Sequence, residues 1–277
     1  MADKILAESL KLQAKTVRKE VLTMIHTAGS GHPGGSLSAA DIMTALYFHE
    51  LKIRPGEPLW DGRDRFVLSK GHVCPVLYTC LALRGYFDKD ILGTLRKEGS
   101  ILQGHPDMKR CPGIDISTGS LGQGISTAVG MALRAKRDHM DYRVFVLVGD
   151  GETQEGQVWE AVETASKYHL DNMVIFVDNN GLQNDGPCDI VMPTGDLEEK
   201  FRAFGCDTYK INGHEMEEII DVLDIVRKNS AGKPHCIIAR TIKGKGVSFM
   251  ENIPSWHGMA PDDRQYAQAM EEIEEGF

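Results

Sequence analysis

The 277-residue sequence has no uninterrupted apolar run near the ~18 to 20 residues that a membrane-spanning helix needs. Its first thirty residues carry charges throughout, so no secretory h-region is expected either, and the reading is of a soluble, unsecreted chain. There is no block of lysine and arginine: 31 basic residues stand against 40 acidic ones, a formal net charge of −9. That balance excludes a general nucleic-acid binder, whose affinity comes from clustered cations, and leaves small anions as local ligands. The six cysteines (74, 80, 111, 188, 206 and 236) form no C-x-x-C pair and no metal-finger spacing. Reduced, buried thiols and a cytoplasmic location are therefore expected. No repeat, low-complexity tract or linker divides the chain, and 42% hydrophobic residues exclude disorder. One domain over 1–277 is the expectation.

What is present alternates. Leu6, Leu10, Ala14, Val17, Val21 and Ile25 recur at three- and four-residue spacing, which predicts a helix from residue 3 to about 28, stopped by Gly29-Ser30-Gly31. A glycine-rich loop is expected next, then a second helix opened by a Ser38/Asp41 capping box and running to about Leu51. Arg65 to Ser69 reads as a buried strand followed by a Gly-His turn and a helix over 73–84. From Glu98 to Gly119 there is no periodicity, and so long an irregular connection is usually functional. Beyond it, helices are predicted over 125–136, 155–168, 196–204 and 215–228. Strands are predicted over 143–148, 172–177, 207–211 and 235–240. Pro261 opens a last acidic helix with Tyr266, Met270 and Ile273 on one face. This alternation predicts an α/β fold: a parallel sheet with helices on both faces.

In such sheets ligands bind beyond the carboxyl ends of the strands. Gly149-Asp150-Gly151 follows one predicted strand and Asp178-Asn179-Asn180-Gly181 the next, so Asp150 and Asn180 sit at consecutive strand ends, thirty residues apart. Their side-chain oxygens with a backbone carbonyl would leave open positions that Mg²⁺ fills with water and phosphate oxygens. Each half is also an ordinary turn sequence. Five of the ten histidines flank glycine in predicted loops: His32, His72, His105, His214 and His257. Such rings are free to hydrogen-bond a polyhydroxylated or phosphorylated ligand and to move protons near neutral pH, although a backbone-bonded loop histidine is the plainer reading of any one. His214, in Asn212-Gly213-His214-Glu215, reads as a helix-capping turn. His26, His49, His139, His169 and His235 are assigned to helices or strands.

Gly119 to Gly124 reads G-x-x-G-x-G, which reverses the dinucleotide fingerprint and follows a loop, so it is either a backbone wall against a flat ligand or close helix packing. Lys243 and Lys245, after the last strand, either neutralise a diphosphate or are solvated. There is no P-loop.

The order of these pieces resembles the N-terminal, diphosphate-binding domain of transketolase, a thiamine diphosphate enzyme, over essentially the whole length. The matching segments are SGHPG (30–34), DRFVLSKGH (64–72), GHP (104–106), TGSLGQGI (118–125), GDG (149–151) with QEG downstream, DNNGLQNDG (178–186), TIKGKG (241–246) and WHGMAP (256–261). The resemblance implies Mg²⁺ or Ca²⁺ held by Asp150, Asn180 and the Leu182 carbonyl. It implies cofactor contacts from His72, Gly151, Asn180, Lys243 and His257, with Gly119 and Leu121 lining the cofactor ring. It implies sugar contacts from His32 and His105, with His257 near both. Glu155 and Glu160 match family glutamates at the interface between active sites. Ser120 stands where the family usually has proline.

The acid-base glutamate of that family belongs to a pyrimidine-binding domain not found in these residues. The resemblance therefore implies a split enzyme, with that domain on a partner chain and an α₂β₂ assembly, moving a two-carbon ketol unit between sugar phosphates. Four other readings compete. A split transketolase could be specialised for a sulfonated or branched ketose. The α chain of a 2-oxo acid dehydrogenase shares GDG and NN but has no use for the GHP histidines. Deoxyxylulose phosphate synthase normally carries all its domains on one chain. A non-catalytic module would bind cofactor without turnover.

Overall fold

A computed structural model describes residues 3–276. Helix α1 (Lys4–Ala28) starts where the Asp3 carboxylate accepts from Ile5 N and ends at Gly29, which takes the left-handed conformation that closes a helix. Its predicted stripe is the face it buries, with Leu6 at the margin.

The expected loop after α1 is instead a short buried helix, α2 (Pro33–Ser38), with Pro33 at its first position. Its two glycines answer to packing. A Cβ on Gly34 would lie 2.9 Å from the Trp256 carbonyl, and one on Gly35 would lie 2.6 Å from Val73 Cγ1. The Ser38/Asp41 capping box does not form. Ser38 closes α2 and bonds Gly35 O and Asp178, while Asp41, in α3 (Ala40–Ala45), is taken by Arg18 and His214. Buried charged partners outcompete a local cap, and the helix widens into a π turn over Leu46–Glu50.

The sheet has five parallel strands in the order β1-β2-β3-β5-β4: β1 (Arg65–Leu68), β2 (Val144–Gly149), β3 (Met173–Asn179), β4 (Asp207–Asn212) and β5 (His235–Arg240). Phe66, Phe145, Phe176 and Ile237 point to one face, under α1, α3, α4 (Cys74–Leu83), α9 (Met216–Lys228) and α10 (Asp263–Glu275). Val67, Val146, Ile175 and Ile238 point to the other, under α5 (Gln123–Arg137), α6 (Gly156–Lys167) and α8 (Leu197–Ala203). Each such buried side chain contributes about 1.5–3 kcal/mol over exposure. Between α6 and α8 a four-residue helix, α7 (Cys188–Val191), flanks the loop after β3.

α10 begins with an Asp262/Gln265 capping box, and its Tyr266 stacks on His26 with ring centroids 4.3 Å apart. All six cysteines are free and buried. His139 and His169 lie in turns with φ of 54° after α5 and α6, and are not helical as expected. Residues 95–122 contain no helix or strand. Among the described residues no helix is long and apolar enough to cross a membrane.

Candidate active site

Parallel strands deliver their carboxyl ends to one edge of the sheet, and a cleft opens there over β1, β2 and β3. Asp150, one residue past β2, is 2% exposed. Its carboxylate accepts from Gly151 N at 2.7 Å and Gly181 N at 2.5 Å. Burial and the nearby Asp178 push its pKa up to about 6, against the pull of those two N–H groups. No lysine, arginine or histidine pairs with it among the described residues.

Asn180 Oδ1 accepts from Leu182 N at 3.0 Å, and the Leu182 and Gln183 carbonyls accept from Lys243 Nζ at 3.4 and 3.3 Å. One carboxylate, one amide oxygen and one carbonyl are hard donors suited to Mg²⁺ or Ca²⁺, with positions left for ligand oxygens and water. Among the described residues no group of three or more His, Cys, Asp or Glu side chains could hold a metal by itself. A cation here would thus depend on the ligand that shares it.

Three of the glycine-flanked imidazoles converge. Ring centroids of His32 and His72 are 5.2 Å apart, of His32 and His257 5.4 Å, and of His72 and His257 5.0 Å. Lys243 Nζ lies 2.9 Å from His257 Nδ1. Burial, then Lys243, His32 and Lys70, lowers His257 to about 4. His32 falls to about 4 through burial and Arg96, and His72 falls well below its usual value through burial and Lys70. All three are neutral at physiological pH, able to donate from one nitrogen and accept at the other. Lys243 is itself lowered to about 8, by burial and by Lys70.

Leu121, Gly151 and the exposed Glu155 also border this cleft. His105 stands apart. It is exposed, lies outside the three-ring cluster, and packs on Gly119, where a Cβ would come 3.2 Å from its ring. Glu160 is exposed on α6. Lys245 turns away to Glu251 at 3.3 Å, so of the two lysines only Lys243 reaches the cleft. His214 makes the expected turn, with its N–H on Asn212 Oδ1. Its ring is also clamped between Asp41 (2.7 Å) and the Ile242 N–H (2.8 Å).

Three residues of the site escaped the sequence reading. Asp178 and Lys70, both buried, form an ion pair beneath the cleft, completed by the Ser38 and Thr241 hydroxyls. Glu152, 3% exposed, accepts from Ser69 Oγ (2.6 Å), Gly122 N (2.9 Å) and Gly149 N (3.0 Å), tying three loops of the cleft together. Lys70 and Asp178 lay inside two of the matched segments without a role, and Glu152 directly follows GDG; nothing local showed that they would be buried and paired.

The fold and the site thus define a class, a parallel α/β chain whose strand ends gather hard oxygen donors beside a lysine and neutral histidines, an arrangement suited to a diphosphate and its cation. The sequence matches the family described as transketolase, thiamine diphosphate binding domain, over residues 9–274, and the chain belongs to that family. Its cofactor is thiamine diphosphate and its reaction class is ketol transfer.

It is 46% identical over 265 residues to the 6-deoxy-6-sulfo-D-fructose transketolase subunit SqwG of Clostridium sp. (strain MSTE9), covering 96% of both chains. It is 43% identical to an apulose-4-phosphate transketolase subunit of Phocaeicola vulgatus, covering 97% of this chain and 95% of that one. Human transketolase is 39% identical, over 96% of this chain but 42% of its own length. The crystal structure of Campylobacter jejuni transketolase superposes with a TM-score of 0.91 at 35% identity, over 99% of this chain and 43% of that one.

Proposed function

We propose that this chain is the diphosphate- and cation-binding half of a two-chain transketolase. The partner supplies the pyrimidine-binding domain and the acid-base glutamate, in an α₂β₂ assembly in the cytoplasm. The observation that carries this is the uncompensated Asp150 carboxylate, set with Asn180 and Leu182 in a cleft beside Lys243 and three neutral histidines. Two lines support the split. The relatives matched along their whole length are named as subunits, whereas the chain spans about two fifths of single-chain transketolases. Ile190 and Met192 are exposed next to the cleft, where the Met192 carbonyl accepts from the Gln154 amide, and a second chain would cover them.

When bound, thiamine diphosphate supplies the electron sink for the two-carbon unit. In this reading Asp150, Asn180 and the Leu182 carbonyl hold Mg²⁺ or Ca²⁺ against the diphosphate. Lys243, His72, His257 and the Gly151 N–H meet the diphosphate oxygens, and Gly119 and Leu121 line the ring. His32, His105 and His257 donate to the sugar's hydroxyl and carbonyl oxygens and take up or return protons there. Glu155, at the cleft mouth, and Glu160 face the interface between active sites.

The donor is a ketose phosphate and the acceptor an aldose phosphate. A second reading, a specialised enzyme for a sulfonated or branched ketose, is favoured by the full-length relatives named for sulfofructose and apulose phosphate. The deciding experiment is ketol transfer to ribose 5-phosphate from xylulose 5-phosphate, 6-deoxy-6-sulfofructose and apulose 4-phosphate in turn. It uses thiamine diphosphate and Mg²⁺, for the chain alone and with its captured partner. Turnover only with the partner is expected, and the preferred donor selects between the readings. Turnover by the chain alone refutes the split site. Cofactor binding with no turnover of any donor refutes ketol transfer and favours a binding module.

A further inference from the structure

Arg96 belongs to none of the motifs above, yet it touches both His-Pro loops. Its backbone is held at φ of 60°, a left-handed conformation uncommon for a side chain of this size, and its N–H donates to Leu102 O at 2.8 Å. From there the guanidinium reaches back to the loop after α1. Nη1 donates to Ser30 Oγ at 2.6 Å and Nη2 to His32 Nδ1 at 3.4 Å. A Cβ on Gly104 would come 3.1 Å from Arg96 Nε, so the guanidinium lies across Gly104, wedged between the loops that carry His32 and His105. Arg96 has no carboxylate within ion-pair distance among the described residues.

A guanidinium can only donate, so His32 Nδ1 must accept and the ring proton must sit on Nε2. Nε2 is on the side of the ring near Gly258, where a Cβ would lie 3.5 Å away, next to His257. His257 is arranged the same way, with Lys243 Nζ at its Nδ1. We infer that Arg96 is a positioning residue for ketol transfer: it fixes His32 as the Nε2–H tautomer and locks the His32 and His105 loops together at the cleft mouth. This rests on the reading that those two histidines meet the sugar.

The electrostatics agree. Burial first, then Arg96, His105 and Lys243, lower His32, whose ring also faces His72 and His257. Burial and then Arg96 lower His105. Without the guanidinium both imidazoles shift upward, with burial still holding them below an ordinary imidazole.

The test uses the chain in complex with its partner, as wild type, Arg96→Gln, Arg96→Lys and His32→Ala. Arg96→Gln should lower kcat about 10- to 100-fold while leaving the half-saturating thiamine diphosphate concentration unchanged. It should also move the acid limb of the kcat profile up by about one pH unit. Arg96→Lys should return the limb to its place without restoring the rate, because one ammonium cannot bond Ser30 and His32 together in the guanidinium's fixed geometry. Long-range proton–nitrogen spectra of isotope-labelled histidine should give His32 as Nε2–H in the wild type and as a tautomer mixture in Arg96→Gln.

An Nδ1–H ring in the wild type, or an unmoved acid limb, overturns the inference. A loss confined to phosphorylated or sulfonated acceptors, with glycolaldehyde unaffected, makes Arg96 an anion anchor and overturns it too. Full sugar turnover in His32→Ala sinks the underlying reading of the histidines. A loss in His32→Ala with none in Arg96→Gln sinks this inference alone.

Discussion

The backbone N–H of Asp150 donates to the Asp178 carbonyl at 3.2 Å, which sets two buried carboxylates side by side at neighbouring strand ends. Only one has a cation. Asp178 receives Lys70 and the Ser38 and Thr241 hydroxyls, and these overcome its burial to hold its pKa below the usual carboxylate range. Asp150 receives two backbone N–H groups, and burial drives its pKa up. The first carboxylate is complete in the fold, and the second is the one we propose a divalent cation completes.

Asp150→Asn should therefore weaken Mg²⁺-dependent thiamine diphosphate binding at least about 100-fold with little change in unfolding midpoint. Isothermal titration with and without Mg²⁺ checks it. Unchanged affinity would refute the metal assignment for Asp150, and with it the partnership with Asn180.

Asp178→Asn should do the reverse of a site mutation. It strands the Lys70 ammonium in a dry site, costing roughly 3–5 kcal/mol of stability. Pairing it with Lys70→Met removes the stranded charge and should recover much of that loss. A urea series on the two single variants and the double variant measures the coupling, and additive losses would mean that the ion pair is not the reason for the damage.

Stability of the cofactor-free chain should fall in mild acid. His32 and His257 have folded pKa values of about 4 against an ordinary 6.5, so between those values the unfolded chain binds more protons. Their contribution is fully present above about 6.5 and is lost as pH falls through 4. His72, lowered further, extends the same trend. Asp150, raised from 3.8 to about 6, works the other way, gaining stability as pH falls from 6. Two histidines at about 1–2 kcal/mol each, allowing for partial solvent screening, outweigh one carboxylate. Urea midpoints at pH 7.5 and 5 should drop accordingly. A rise would mean that the imidazoles are not buried as neutral rings.

The long periodic elements were legible because their signal is local. The α1 stripe buries the face its spacing implied, and the apolar run at 143–148 became the β2 strand at the middle of the site. Helix α2 was not, because Gly34 and Gly35 read as a loop when their smallness answers to Trp256 and Val73 on distant segments. The same distance hid the charged core. Lys70 and Ser38 find Asp178 across 108 and 140 residues, and Arg96 finds His32 across 64. Sequence showed which residues stood at the strand ends, but not which charges would neutralise one another there.

His105 offers the cleanest separation of sugar from cofactor. Its loop is held by its backbone: Tyr78 OH shares its one proton between the carbonyls of Gln103 (3.0 Å) and His105 (2.9 Å), so the loop does not need the imidazole to keep its shape. His105→Ala should thus raise the sugar KM about tenfold, the worth of one hydrogen bond, with cofactor affinity and unfolding midpoint unchanged. Tyr78→Phe keeps the imidazole but leaves both carbonyls without that donor, and should lower stability by about 1–2 kcal/mol while raising the same KM. Steady-state kinetics with the partner chain, set beside cofactor titration, reads both variants. If His105→Ala weakened cofactor binding as much as sugar use, the loop would belong to the cofactor wall with Gly119, and the sugar contact would have to be sought among His32 and His257 alone.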